Sequence, residues 1–324
     1  MLLGTLYRFR LIVATLFLSL SITLWASTGP EDAAKTSAAS TAWQPDRLLL
    51  GVAKAGSRIV AVGERGIIAE SQDSGRHWTK IEGASSTTLT AVQFVDENLG
   101  WAVGHDAVII HTQDGGQHWQ PQYADADAYG PLLSLHMRNA LHGLAVGAYG
   151  LLLRTRNGGD HWQPFSLGTD DRHVYGVTWL NSGRMVIVGE SGLIALSTND
   201  GEQWRIIKSP YTGSLYGLLA LSNQVLIAYG MRGHILRSTD AGETWRIIPS
   251  PTQSFLFGGV LGPEDTIYLV GANGVLAASR NGGLDFTLLN ADTTDLLAGV
   301  TVNNTNDLLL IGDHGTYRVE GPGQ

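Results

Sequence analysis

The chain contains no cysteine in 324 residues, which excludes disulfide bridges, thiol nucleophiles and cysteine-ligated metals. Lysine is nearly as scarce, present only as Lys35, Lys54, Lys80 and Lys208, and the formal net charge is −8. Nucleic-acid binding rests on clustered Lys and Arg that neutralise phosphates. The arginines here are spread along the chain, so neither nucleic acid nor an anionic membrane surface is expected as a partner. Long apolar runs are confined to residues 11–25, which follow Arg8 and Arg10 and precede Ala26. A basic start and a run of that length read as a secretory signal, and the run is short for a membrane span. Leu24 stands where a small residue would favour cleavage, so an uncleaved signal anchor is the alternative. Residues 1–26 are accordingly assigned to a signal peptide or signal anchor. Residues 27–41, rich in Ser, Thr and Ala, are assigned to a disordered tether. The expected location is exported, facing the periplasm, with residues 11–25 an inner-membrane anchor if retained.

Helical periodicity is weak, and glycine is plentiful at 41 residues, which suits an all-β protein rich in turns. Six copies of Ser/Thr-x-Asp/Asn-x-Gly-x-x-Trp/Phe recur at intervals of 41 to 43 residues. They begin at Ser71, Thr112, Thr155, Ser197, Ser238 and Ser279 and end at Trp78, Trp119, Trp162, Trp204, Trp245 and Phe286. A period of this size marks a solenoid, propeller or array. In each copy the Asp or Asn is expected to bond backbone N–H groups two residues on and close a tight turn. The Gly supplies the backbone angle, and the aromatic ring packs over the corner. The repeat resembles the Asp-box, or bacterial-neuraminidase repeat, and its carboxylates read as turn staples, not catalytic groups.

A second ladder runs in step with the first. An apolar residue and Gly-x-x-Gly recur at Gly63, Gly147, Gly189, Gly230, Gly271 and Gly312, with Ala107 closing the variant copy at Gly104. Upstream of each lies a small residue in an apolar run: Gly51, Ala91, Ser134, Gly176, Gly217, Gly258 and Gly299. Small residues suit strands that crowd toward an axis. Each unit therefore reads as four antiparallel strands, and seven units over residues 42–320 read as a seven-bladed β-propeller. The seventh unit lacks a box and outer strand. Trp43-Gln44-Pro45 matches Trp119-Gln120-Pro121, so an N-terminal strand is expected to close the last blade and leave no exposed sheet edge.

Strand alternation puts the boxes on one face and the Gly-x-x-Gly turns, with the connectors between blades, on the other. Glu64, Arg65, His105, Asp106, Tyr149, Glu190, Arg232, Asn273, Asp313 and His314 occupy the variable turn positions and form the candidate partner-binding face. The connectors add Tyr123, Asp125, Asp127, Tyr129, Asp170, Asp171, Arg172, His173 and Tyr211. Rigid scaffolds concentrate binding residues in such loops. His105-Asp106 and Asp313-His314 are adjacent pairs in glycine turns, where side chains diverge, so no metal and no cofactor is expected. A sialidase-like site needs an arginine cluster, a Tyr–Glu pair and an Asp acid. The inner-strand cores contain no arginine, which leaves a glycan-binding or sialidase-like glycoside hydrolase as the alternative to a non-catalytic scaffold.

The run Leu99-Gly-Trp-Ala-Val-Gly104-His-Asp-Ala-Val-Ile-Ile-His-Thr112-Gln-Asp114-Gly-Gly116-Gln-His-Trp119 resembles the blade consensus of the photosystem II assembly and stability factor family. Residues 141–162, 184–204 and 226–245 are similar to it, so the resemblance spans residues 43 to 319. It implies a non-catalytic propeller of the periplasm or a thylakoid-lumen equivalent that binds a membrane-protein precursor, partly through an arginine patch, and the chain is expected to be monomeric. Arg154, Arg237, Arg280 and Arg318 are the matching positions, read as third-strand residues just before the boxes. The implied client is photosystem II in photosynthetic members, and otherwise a transporter or another envelope complex.

Overall fold

The structure is a computed structural model and describes residues 43–321 apart from 126, 128, 129 and 170. The signal segment, the tether, Tyr129 and Asp170 lie outside the described residues. No helix among the described residues is long and apolar enough to cross a membrane.

Seven antiparallel sheets follow one another along the chain, six of four strands and one of three, and together they form a seven-bladed propeller. The second strand of each sheet reads as an apolar run buried throughout, as in Gly143–Gly147 and Met185–Gly189, save for the half-buried Arg58 that opens Arg58–Gly63. That pattern arises because each sheet is covered on both faces by its neighbours. The core is divided accordingly into clusters that straddle adjacent blades. Val186, Val188 and Leu196 of the fourth blade meet Leu215, Leu226 and Ala228 of the fifth. Leu309 and Ile311 of the seventh meet Leu49, Ile59 and Trp78 of the first, which closes the ring.

The expected small residues have a measurable cause. A β-carbon on Gly258 would lie 2.8 Å from the Cα of Gly299 in the next inner strand, and one on Gly51 would lie 2.9 Å from the Cα of Ala91. Just before these positions every first strand carries a bulge. The pairing skips one residue in each blade: Leu50, Thr90, Leu133, Tyr175, Tyr216, Phe257 and Ala298. A bulge takes its extra residue out of the ladder and re-aims the side chain. All but Ala298 line the axial channel, a space of about 260 Å³.

The boxes are corners, with a bonding pattern that differs from the expected one. The carboxylate reaches three and four residues on, not two: Asp73 Oδ1 accepts from the backbone N–H of Arg76 at 3.1 Å and of His77 at 2.8 Å. The first hydroxyl does as much. Ser71 Oγ accepts from the N–H of Gly75 at 2.8 Å and donates to Asp73 Oδ1 at 3.0 Å. The indole N–H of Trp119 then donates to the carbonyl of Gly116 at 2.9 Å, which fastens the ring over the turn.

The N-terminal segment meets the last blade, though not as the expected strand. Trp43-Gln44-Pro45 has no strand conformation, and the seventh sheet has three strands among the described residues. The carbonyl of Pro45 stands against Gly315 as those of Ser85, Tyr211, Thr252 and Thr293 stand against Gly66, Gly192, Gly233 and Gly274. These four lie seven residues beyond their box aromatics, so Pro45 occupies the place of a connector. The Trp43 match to Trp119 therefore misplaced the register; Trp43 packs instead into the cluster between the seventh and first blades.

Candidate binding face

The ten turn residues stand at the tips of the seven Gly-x-x-Gly turns, on the face opposite the boxes. Arg65, His105, Asp106, Tyr149, Arg232, Asn273 and His314 are exposed, and Glu64, Glu190 and Asp313 half-buried. Arg65, Asp106, Tyr149, Arg232 and Asn273 hold positive φ between 52° and 61°. Among these side chains Asn and Asp are suited to that region, and Arg and Tyr are not. Each tip engages a connector more than it engages another tip. Arg47 lies 3.6 Å from Glu64, the backbone N–H of His173 donates to Glu190 at 3.2 Å, and Asn273 Nδ2 donates to Ser254 Oγ at 3.1 Å.

Asp313 and His314 do not diverge. His314 Nδ1 lies 3.3 Å from Asp313 and 3.4 Å from Asp295 of the preceding connector, and the three form one group. The hydroxyl of Tyr317 donates to Asp295 and holds that carboxyl below its usual range. In turn Tyr317 is pushed up to about 12, by burial first and then by this bond.

The four arginines do not make one open patch. Arg154 reaches Glu202 in the next blade's box at 3.2 Å, where Arg156 meets the same carboxylate. Arg237 Nε donates to the carbonyl of Gly282 in the next box at 2.8 Å. Arg318 is paired with Asp307 at 2.7 Å within its own blade. Arg280 sits inside its box, between Ser279 and Asn281, at the place of Arg156; the position matching Arg154 is Ala278. Arg154 and Arg237 thus bridge neighbouring blades, a task that Arg58 shares through the carbonyl of Asp114 at 3.3 Å.

A feature absent from the expected site lies at the mouth of the channel. Tyr149 and His173 stand 4.5 Å apart, His173 and Tyr175 6.0 Å, Tyr175 and Tyr216 5.2 Å, and Tyr216 and Phe257 5.5 Å between ring centroids. Phe255 closes the series against both Tyr216 and Phe257. The Tyr211 and His234 rings stack beside it at 3.9 Å. Burial raises the pKa of Tyr175, Tyr211 and Tyr216, so all three phenols stay neutral. The sequence held a signal for this arc. The residue before the small inner-strand position is aromatic in three consecutive blades: Tyr175, Tyr216 and Phe257.

Below the arc the channel wall is made of glycine, small and aliphatic residues, Thr90, Ser134, Tyr229 and the arc's own rings. Arginine and carboxylate side chains are missing from that wall.

A sequence model of the photosynthesis system II assembly factor YCF48 family matches residues 54–130 and 122–262. The chain belongs to the YCF48 family. No curated protein matches it. The solved structure of YCF48 bound to D1 peptide is similar to this family member at a TM-score of 0.68 and 20% identity, covering 86% of this chain and 94% of that one. YCF48 from Cyanidioschyzon merolae gives 0.69 at 14% identity, covering 86% and 96%. The GH74 xyloglucanase from Xanthomonas campestris gives 0.68 at 14%, covering 85% of this chain and 52% of that one. At these identities the structural likeness describes the propeller fold.

Proposed function

We propose that the protein is a non-catalytic propeller scaffold that binds a membrane-protein client and assists assembly or stability of a membrane complex. Membership of the YCF48 family carries this reading, since one solved relative is bound to a D1 peptide. In this reading the chain is exported, works as a monomer on the periplasmic side of the inner membrane, and takes photosystem II as client in a photosynthetic cell, or a transporter or similar envelope complex otherwise. The ten turn residues form the face toward the client, and of the four arginines Arg154 and Arg237 act mainly in joining blades.

The hydrolase reading draws on the boxes and on the xyloglucanase-like fold. Glycoside hydrolysis uses two carboxyl groups flanking the scissile bond, and the wall of the axial channel offers none. The test is crosslinking of the full chain in its native envelope followed by identification of what is captured. Recovery of one membrane complex supports the scaffold. Recovery of none, with turnover of xyloglucan or a sialoside, replaces it with the hydrolase.

A further inference from the structure

Three properties meet at the channel mouth over the third to sixth blades. The first is apolar area: Tyr149 is 56% and Phe255 40% exposed, although both are large rings that a soluble surface usually covers. The second is placement. Tyr175, Tyr216 and Phe257 are bulge residues, released from the ladder and half-buried at the rim, so their rings form a platform instead of filling the core. The third is charge. Over the fifth and sixth blades, between Lys208 and Asn273, this face carries Lys208, Arg232 and His234 and no carboxylate, in a chain whose net charge is −8, whereas Glu190 lies against His173 at the other end of the arc. Arg232 is exposed at a turn tip and makes no ion pair among the described residues. It stands near Tyr211, whose ring stacks on His234.

We propose that the arc of Tyr149, Tyr175, Tyr216, Phe255 and Phe257, with Arg232 beside it, is the docking surface for an apolar polypeptide segment that carries a carboxylate. The inference rests on the client-binding reading and adds the place and the chemistry. Aromatic rings give large contact area at low cost in side-chain entropy, and Arg beside them is the usual companion at binding hot spots. A carboxylate suits the sector because Arg offers it two parallel N–H donors. The segment's apolar side chains lie on the rings. Its carboxylate, from an acidic side chain or a chain terminus, meets Arg232.

The test places a photoreactive phenylalanine analogue in the full chain at Phe255 or at Tyr149, and in a control at Leu284 in the sixth box, which is 48% exposed. Crosslinking is done in the native envelope, and the attached segment is sequenced. The expected result is capture from Phe255 and Tyr149, of a segment with apolar side chains and a carboxylate. Arg232→Glu should then lower capture about tenfold by reversing the one charge that faces it. Tyr216→Leu should lower it too, with the circular-dichroism spectrum unchanged; if that variant unfolds, Arg232→Glu decides. Capture from Leu284 alone overturns the docking surface and leaves the client reading standing. Capture from no position removes both. A segment rich in Lys or Arg, or displacement by xyloglucan oligosaccharides with no peptide attached, also overturns the proposal.

Discussion

A β-carbon on Gly217 would lie 2.3 Å from both Cζ and the hydroxyl oxygen of Tyr229. Tyr229 stands where other blades carry Val103, Val146 or Val188, and its buried phenol fills the space that Gly217 leaves at the channel wall. Gly217→Ala should therefore cost about 1–3 kcal/mol, the usual range for overpacking a filled core. In a Tyr229→Val background the same change should cost much less, because the clashing ring is gone. Urea unfolding of the two single variants and the double one measures the coupling; additive losses would mean that the two side chains do not compete.

The bridges between blades should differ in weight. Arg237 is half-buried and donates to the carbonyl of Gly282, so Arg237→Met should lose about 1–2 kcal/mol. Glu202 lies open to solvent, where its pairing with Arg154 and Arg156 is screened. Glu202→Gln should leave the unfolding midpoint almost where it was. Equal midpoint shifts for the two variants would refute this order.

Acid should weaken the fold in two steps. Burial pushes His136 from its ordinary 6.5 down to about 4, in a crevice beside Val177, Trp179 and Leu219. It is neutral in the fold and takes a proton sooner when unfolded, so stability falls as pH drops from 6.5 through 4. Asp73 and Asp114 follow. Desolvation raises them, but the N–H groups and rings of His77 and His118, with the Ser71 and Thr112 hydroxyls, outweigh it and hold both at about 2. Their contribution is complete above 3.8 and is lost as pH falls through 2. Unfolding free energy measured against pH should show both windows, and His136→Gln should shrink the upper one, leaving the part due to buried His111, without touching the lower.

Ser191 holds φ 54° and ψ 38° at an exposed turn tip. The left-handed region costs an L-residue about 1–2 kcal/mol. Ser191→Gly should raise stability by roughly 1 kcal/mol, read as a higher midpoint in thermal unfolding, with no loss of client capture if the arc is the docking surface.

The blades were legible because their determinants are local. Boxes, turns and small inner-strand residues each state a backbone requirement within ten residues, and six copies agree. Trp43 was misread because a Trp-Gln-Pro triplet matches an outer strand in letters, whereas the register is set by the close approach of Pro45 to Gly315, a contact between the two ends of the described chain. Arg280 resembles Arg154 in its nearness to a box, but the strand pairing sets it two residues further on, inside the box. The tips Arg65 and Asn273 were legible as exposed turn positions. The aromatic arc escaped because its rings come from connectors, a turn and three bulges, and only the closed ring sets them side by side.

The bulge in every first strand separates two demands that usually compete. A residue left out of the ladder can vary while the pairing on either side of it is kept, as the series Leu50, Thr90, Leu133, Tyr175, Tyr216, Phe257 and Ala298 illustrates. The wall of the channel is thus a word of six of these letters, all but Ala298, written around a fixed frame. Its letters are exchangeable one at a time, and a change of recognition need not wait for a change of architecture.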